Sequence, residues 1–93
     1  MKFTKHSLKK LETLLADIDY EIIYGKGNFH SGYAIVEEQR KIVVNRYFET
    51  EARINSLLDI IDQIQVPEDS LDEKQLEYLN EVYQFLEQRA NSQ

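Results

Sequence analysis

The chain contains no cysteine and no tryptophan, and its 93 residues include only one proline and three glycines. Without cysteine the protein has no disulfide, no thiolate metal site and no thiol nucleophile, so it must fold through apolar burial alone. A chain of this length buries roughly 60–65% of the surface that its unfolded form exposes. We therefore expect a single domain over residues 1–93, in a reducing compartment, the cytoplasm.

Long apolar runs and excess positive charge are also missing. Aliphatic runs are only three residues long, as in Ile42-Val43-Val44, against the ~20 residues of a membrane-spanning helix. Eleven basic residues face 17 acidic ones, giving a formal net charge of −6. Because each phosphate contact requires Lys or Arg, this balance argues against nucleic-acid binding. We expect neither a membrane segment nor a nucleic-acid partner.

Hydrophobic spacing predicts three helices and three strands. Apolar residues at three- and four-residue steps predict helices at about 5–18, 51–65 and 71–89. Runs rich in β-branched and aromatic residues predict strands at about 20–24, 32–37 and 41–46. The order αβββαα predicts an α+β domain, a three-stranded antiparallel meander packed by helices. Ser70 and Glu73 have the spacing of a capping box before the third helix.

The hairpin of the second and third strands has two possible registers. A two- or four-residue connection gives the pairs Tyr33–Val44, Ile35–Ile42 and Val36–Lys41. A three-residue connection instead groups on one face Ala34, Val36, Ile42 and Val44. We favour the first register because it sets Glu37 opposite Arg40. In both, each face is partly apolar, which indicates that helices cover one side and something else partly covers the other.

The third predicted helix carries more apolar surface than one stripe requires. One seam consists of Leu76, Leu79, Tyr83 and Leu86. A second band beside it consists of Leu71, Tyr78, Val82 and Phe85. If one band packs on the core, the other needs cover, which a self-complementary helix pair supplies. We predict a homodimer with the first seam as its interface; a monomer that wraps this helix more completely is the alternative.

All three glycines lie in the stretch YGKGNFHSGY, residues 24–33. A dinucleotide-binding loop requires a third glycine where this chain has His30, and a P-loop requires Ser or Thr where Gly27 follows Lys26. The next element is also a strand, so no helix N-terminus faces the loop. The stretch therefore predicts a shaped turn between two strands.

This turn and the end of the third strand form the candidate contact surface. Its members are Lys26, Asn28, Phe29, His30, Tyr33, Asn45 and Arg46. Histidine, arginine and tyrosine at one end of a sheet can hold a carboxylate or phosphate. His6 is the only other histidine, and no spacing joins it to His30 as a metal ligand. We predict no catalytic residue, no metal site and no cofactor.

The blocks KGNFHSGY (26–33) and KIVVNRYFETEARINSLLDII (41–61) resemble a group of small uncharacterised bacterial α+β proteins. Those share a Gly-Asn-Phe-x-x-Gly loop, a strand ending in Asn and an amphipathic helix. The resemblance covers the middle half of the chain and implies no assigned activity. The element order is also similar to that of small zinc-dependent peptidase domains, in which the following helix carries His-Glu-x-x-His. Here that helix reads Leu57-Leu58-Asp59-Ile60-Ile61-Asp62, so only a fold analogy remains.

These observations favour a non-enzymatic interaction or regulatory module, homodimeric through the third helix, whose partner is itself or another protein. The alternative is a small protein, or weak enzyme, that binds an anionic ligand with the 25–33 loop and the end of the third strand. Nucleic-acid binding through scattered basic residues ranks last.

Overall fold

A computed structural model describes residues 1–27 and 29–92 of the chain. The elements are α1 (Lys5–Asp17), β1 (Glu21–Gly25), β2 (Tyr33–Val36), β3 (Lys41–Asn45), α2 (Thr50–Gln63) and α3 (Glu73–Asn91). Single 3-10 turns occupy Glu37–Gln39 and Glu68–Ser70. The predicted α+β class is confirmed, and each predicted helix and strand is present with its ends shifted by two residues or fewer.

The predicted antiparallel meander is wrong, because the sheet is mixed and its strand order is β1-β3-β2. β3 lies in the centre, parallel to β1 and antiparallel to β2. In this central place both edges of the apolar run Ile42-Val43-Val44 are hydrogen-bonded to neighbouring strands, and Ile42 and Val44 are fully buried. The 26–32 connection is long enough to carry the chain past the end of β3, from one edge of the sheet to the other.

The favoured hairpin register is the one that the structure has, with Tyr33 opposite Val44 and Ile35 opposite Ile42. The contacts at the turn of this hairpin differ from the expected charge pair between Glu37 and Arg40. Arg40 has a left-handed backbone (φ 51°) that closes the turn, and its N–H donates to the Glu37 carbonyl. The Arg40 guanidinium donates to the Ile18 carbonyl at 3.0 Å, which ties the hairpin to the end of α1.

The core lies between the helices and one face of the sheet. Ile22, Ile42 and Val44 point to this face and pack with the buried side chains of the helices. α1 contributes Leu8, Leu11, Leu14 and Leu15. α2 contributes Ile54, Leu57, Leu58, Ile60 and Ile61. Each such side chain stabilises the fold by about 1.5–3 kcal/mol relative to its exposed state.

The start of α3 differs from the predicted one. The N-cap is Asp72, whose carboxylate accepts from the Gln75 N–H at 2.9 Å, and the Gln75 side chain reaches back to the Asp72 N–H. This is a capping box two residues beyond the predicted Ser70 and Glu73. Ser70 belongs instead to the 3-10 turn after Pro67, in which its N–H donates to the Pro67 carbonyl.

Within the described residues, none of the helices has the length and apolarity needed to cross a membrane.

Candidate functional site

The turn at the end of β3 is held by backbone and side-chain hydrogen bonds. The Asn45 N–H donates to the Gly32 carbonyl at 2.8 Å, and the Arg46 N–H donates to the Gly25 carbonyl at 3.0 Å. The Asn45 Oδ1 accepts from the Tyr47 N–H at 3.0 Å. The Asn45 side chain therefore shapes the turn that follows β3.

Two glycines of the loop lie against aromatic rings. Gly32 has a positive φ of 87°, and a Cβ built on it would collide with the ring of Phe48. The ring of Phe29 lies against Gly27 in the same way. Phe29, one of the predicted contact residues, is therefore a partly buried side chain that packs inside the loop.

Arg53, at the start of α2, fixes the same region and was not predicted. Its Nε donates to the Phe48 carbonyl at 2.9 Å and its Nη2 to the Arg46 carbonyl at 3.3 Å. The guanidinium also lies 4.0 Å from the centre of the Tyr24 ring. The pKa of Tyr24 is raised, mainly by burial and secondly by the hydrogen bond that the Tyr24 hydroxyl donates to Glu12. Arg53 thus joins β1, the turn and α2.

The structure does not bring together the predicted anion-binding trio of His30, Tyr33 and Arg46. The Tyr33 side chain lies on the helical face, where its hydroxyl accepts from Gln63 Nε2 at 2.6 Å. His30 is exposed in the loop. The exposed Arg46 donates to the Tyr47 hydroxyl at 2.9 Å. The hydroxyl of Tyr33 is therefore directed to the opposite side of the sheet from Asn45.

Only part of the predicted contact surface remains available for binding. Lys26 and Arg46 are exposed cations, and they stand beside Tyr47, whose exposed fraction is 66%. Asn28 lies outside the described residues. Lys26, Gly27, Asn45 and Tyr47 line one open depression at this end of the sheet.

The second face of the sheet is open and partly apolar. Side chains alternate between faces along a strand, so the register places together Ile23, Ala34, Val36 and Val43. None of these belongs to the core, and Ile23 and Val36 are 38% and 39% exposed. We call this surface the open face. The sequence indicated that this face is partly apolar, but it also predicted partial cover there, whereas Ile23 and Val36 are exposed in the structure.

The predicted dimer seam on α3 is packed within the chain itself. Leu79 is fully buried and Leu86 is 7% exposed, while Leu76 and Tyr83 are partly buried against the core. Of the second band, Leu71 and Val82 are buried in the core, while Tyr78 and Phe85 are only partly buried. Burial of the first seam within the chain removes the reason for which a dimer through that seam was predicted.

A groove between α1 and α3 was missed by the sequence analysis. It consists of two adjoining cavities of about 390 and 410 Å³. Four residues line both cavities: His6, Lys10, Tyr78 and Glu81. Phe3 packs edge to face on Phe85 with 5.8 Å between ring centres, which joins the segment before α1 to α3. Helix spacing alone could not reveal this groove because its two walls are about 70 residues apart in the sequence.

Tyr78 is the polar side chain at the base of this groove. Its hydroxyl has almost no exposed surface and, among the described residues, no hydrogen-bond partner. The Lys10 Nζ lies 4.1 Å from the centre of its ring. Burial, with a smaller contribution from the charge of Glu81, raises the pKa of Tyr78 to about 12. The hydroxyl therefore stays protonated at neutral pH and can donate.

No family model, curated protein or solved structure matches this chain. The resemblance to bacterial α+β proteins through the loop block stays a prediction. In residues 1–27 and 29–92, no three His, Asp or Glu side chains are grouped as metal ligands. The candidate surfaces are thus the open face with its basic end, and the α1–α3 groove.

Proposed function

We propose that this protein is a non-enzymatic interaction module that self-associates through the open face of its sheet. The observation that carries the proposal is the location of its exposed apolar side chains. Apart from Met1, the large exposed apolar residues of the described chain are Ile23, Val36 and Tyr47. The first two lie on the open face, and Tyr47 follows β3 at its end. Exposed apolar side chains that are grouped on one side of a domain, and not scattered over it, favour an interaction surface there.

Charge favours a second copy as the partner. β1 and β3 both end where the exposed Lys26 and Arg46 lie, which we call the basic end. The opposite end of the sheet exposes four acids: Asp19, Glu21, Glu37 and Glu38. Lys41 and Arg40 lie there too, and Arg40 is bonded to α1. This end, the acidic end, therefore carries two more negative than positive charges.

A two-fold axis perpendicular to the strands joins these ends favourably. This axis places the basic end of each copy over the acidic end of the other. It also packs the apolar residues of the two open faces against each other. The two contacts are equivalent, so the assembly closes as a dimer. Local complementarity of this kind offsets the repulsion between two chains of net charge −6.

The size of the open face sets the expected affinity. Three strands of up to five residues cover about 14 Å by about 17 Å, or about 240 Å². Stable complexes bury about 800 Å² per partner. Contacts at the two charged ends add to the area without closing this gap. We therefore expect a reversible dimer with a dissociation constant in the micromolar range or weaker.

Sedimentation equilibrium over a wide range of protein concentration tests the proposal. Ile23→Glu places a charge on the open face, beside Val43, and should leave the chain monomeric. Asn80→Glu is the matched control, because it adds the same charge on the exposed side of α3 and should leave the dissociation constant unchanged. A chain that is monomeric at every concentration, or an equal loss of association in both variants, would contradict the proposal.

Charge reversal tests the orientation of the two copies. Lys26→Glu with Arg46→Glu should weaken association, and Glu37→Lys with Glu38→Lys should do the same. Combining all four changes restores opposite charges at each contact and should recover most of the lost affinity. If instead the free-energy losses of the two double variants simply add in the combined variant, the two ends do not meet, and the two-fold arrangement is wrong.

A further inference from the structure

We propose that the α1–α3 groove binds a small molecule with an anionic group and an apolar, aromatic body. This site lies on the helical side of the domain and is independent of the open face. Each of its two cavities, about 390 and 410 Å³, is within the range of sites for small molecules. The exposed side chain of Lys10 lies over Tyr78, where the two cavities adjoin.

The walls of the groove select an anionic group. The lining of the second cavity holds three lysines, Lys9 and Lys10 on α1 and Lys74 at the start of α3, against two carboxylates, Glu77 and Glu81. In the described part of the chain, none of these three lysines is within ion-pair distance of a carboxylate; the ion pair found there joins Arg89 to Asp59. A cation on a partly apolar wall gains more from a bound anion than a fully solvated cation does.

Apolar side chains in the groove contact the apolar, aromatic body of the proposed ligand. Val82 and Phe85 line one cavity and Leu14 lines the other, with the ring of Tyr78 shared between them. Aromatic rings favour an aromatic ligand body through stacked or edge-to-face contacts. Because the apolar lining is divided between two cavities of this size, it fits a compact ligand better than a long peptide helix.

The hydroxyl of Tyr78 indicates that the groove is built for a ligand. A buried hydroxyl without a partner is unfavourable, and phenylalanine would fill the same space without that cost. A ligand oxygen can accept from this hydroxyl once the side chains that cover it move aside. The ammonium of Lys10, which lies over the ring of Tyr78, is close enough to contact the anionic group of the same ligand.

A pair of matched probes tests this inference. Naphthalene-1-acetate carries the anionic group and the aromatic body, and naphthalene-1-acetamide has the same shape without the charge. Amide chemical shifts of the full chain are followed by NMR during each titration, in the Ile23→Glu variant so that self-association does not interfere. We expect saturable shifts at His6, Lys10, Tyr78 and Glu81 with the acetate, and about tenfold weaker binding of the acetamide.

Two substitutions locate the contacts. Lys10→Met keeps the aliphatic stem and removes the charge, and Tyr78→Phe removes only the hydroxyl; each should weaken binding of the acetate about tenfold. Lys5→Met, on the same helix but outside the groove, should leave it unchanged. Equal binding of the two probes, shifts confined to another surface, or no saturable shift at about 1 mM acetate would overturn the inference. Binding of an acidic peptide without binding of the acetate would also overturn it.

Discussion

Substitution of Leu79 tests whether the α3 seam belongs to the folded core of one chain or to an interface between two chains. The Leu79 side chain is fully buried in the core, whereas Leu76 on the same seam is only partly buried. Leu79→Ala removes three buried carbon atoms and leaves a cavity, which costs about 2–5 kcal/mol of unfolding free energy. For Leu76→Ala we expect about 1–2 kcal/mol, because part of that side chain already contacts water.

These losses are large against the stability of so small a domain. At about 0.05–0.15 kcal/mol per residue, the whole chain has about 5–14 kcal/mol of unfolding free energy. A loss of about 3 kcal/mol, with a urea m-value of about 1.2 kcal/mol per M, lowers the unfolding midpoint by about 2.5 M. Leu79→Ala should therefore fold at low urea and be clearly separated from the parent chain.

The assay is urea denaturation followed by circular dichroism, in the Ile23→Glu variant and at two protein concentrations. The midpoints of both alanine variants should be independent of concentration, because burial within one chain is unimolecular. Two results would refute the reasoning. One is a loss below about 1 kcal/mol for Leu79→Ala. The other is an equal loss of unfolding free energy in Leu79→Ala and Leu76→Ala, together with urea midpoints that rise with protein concentration. That combination is expected if the seam is a dimer interface.

Three further predictions concern single contacts. Gly32→Ala combines a positive φ with a collision against Phe48, so it should lower the unfolding free energy by about 2–4 kcal/mol in urea denaturation; a loss below about 1 kcal/mol would contradict that geometry. Asp72→Ala removes the N-cap of α3 and should cost about 1 kcal/mol, whereas Asp72→Asn should cost less; equal losses would argue against the cap. Because the pKa of Tyr78 is raised from 10.0 to about 12 in the folded chain, the unfolded chain ionises first and stability should fall between pH 10 and 12. Tyr78→Phe should make that fall shallower in urea midpoints measured from pH 8 to 12, and an unchanged slope would show that this hydroxyl is not shielded.

The two proposed surfaces are separable in experiment. The open face lies on one side of the sheet, and the α1–α3 groove lies on the side of the helices. Ile23→Glu is expected to abolish association without changing the groove. Lys10→Met is expected to weaken ligand binding without changing association. A variant that altered both properties would indicate that the two surfaces are coupled through the core.

The glycine-containing loop, residues 24–33, shows which features of a turn can be predicted from residue patterns and which cannot. The sequence excluded both phosphate motifs and predicted a turn, and the structure has a turn there. It could not assign Phe29, whose ring packs against Gly27, or the glycine at position 32, which makes room for Phe48. The role of Gly32 depends on a ring from a segment after β3, and the role of Phe29 depends on the path of the loop, which residue types alone do not fix. Arg53 is a similar case, because its three contacts lie on segments that only folding brings together.

The sequence by itself determined the number, type and approximate ends of the helices and strands, because hydrophobic period and turn residues are local properties. It favoured the observed hairpin register without deciding it, because both possible registers collect an apolar face that contains Ile42 and Val44. Only the tertiary structure decided that β3 lies between β1 and β2, because strand order depends on which arrangement buries the most apolar surface. For the same reason only the tertiary structure buried Leu79, Val82 and Leu86 of α3 in the core, left one face of the sheet open, and formed a groove from α1 and α3.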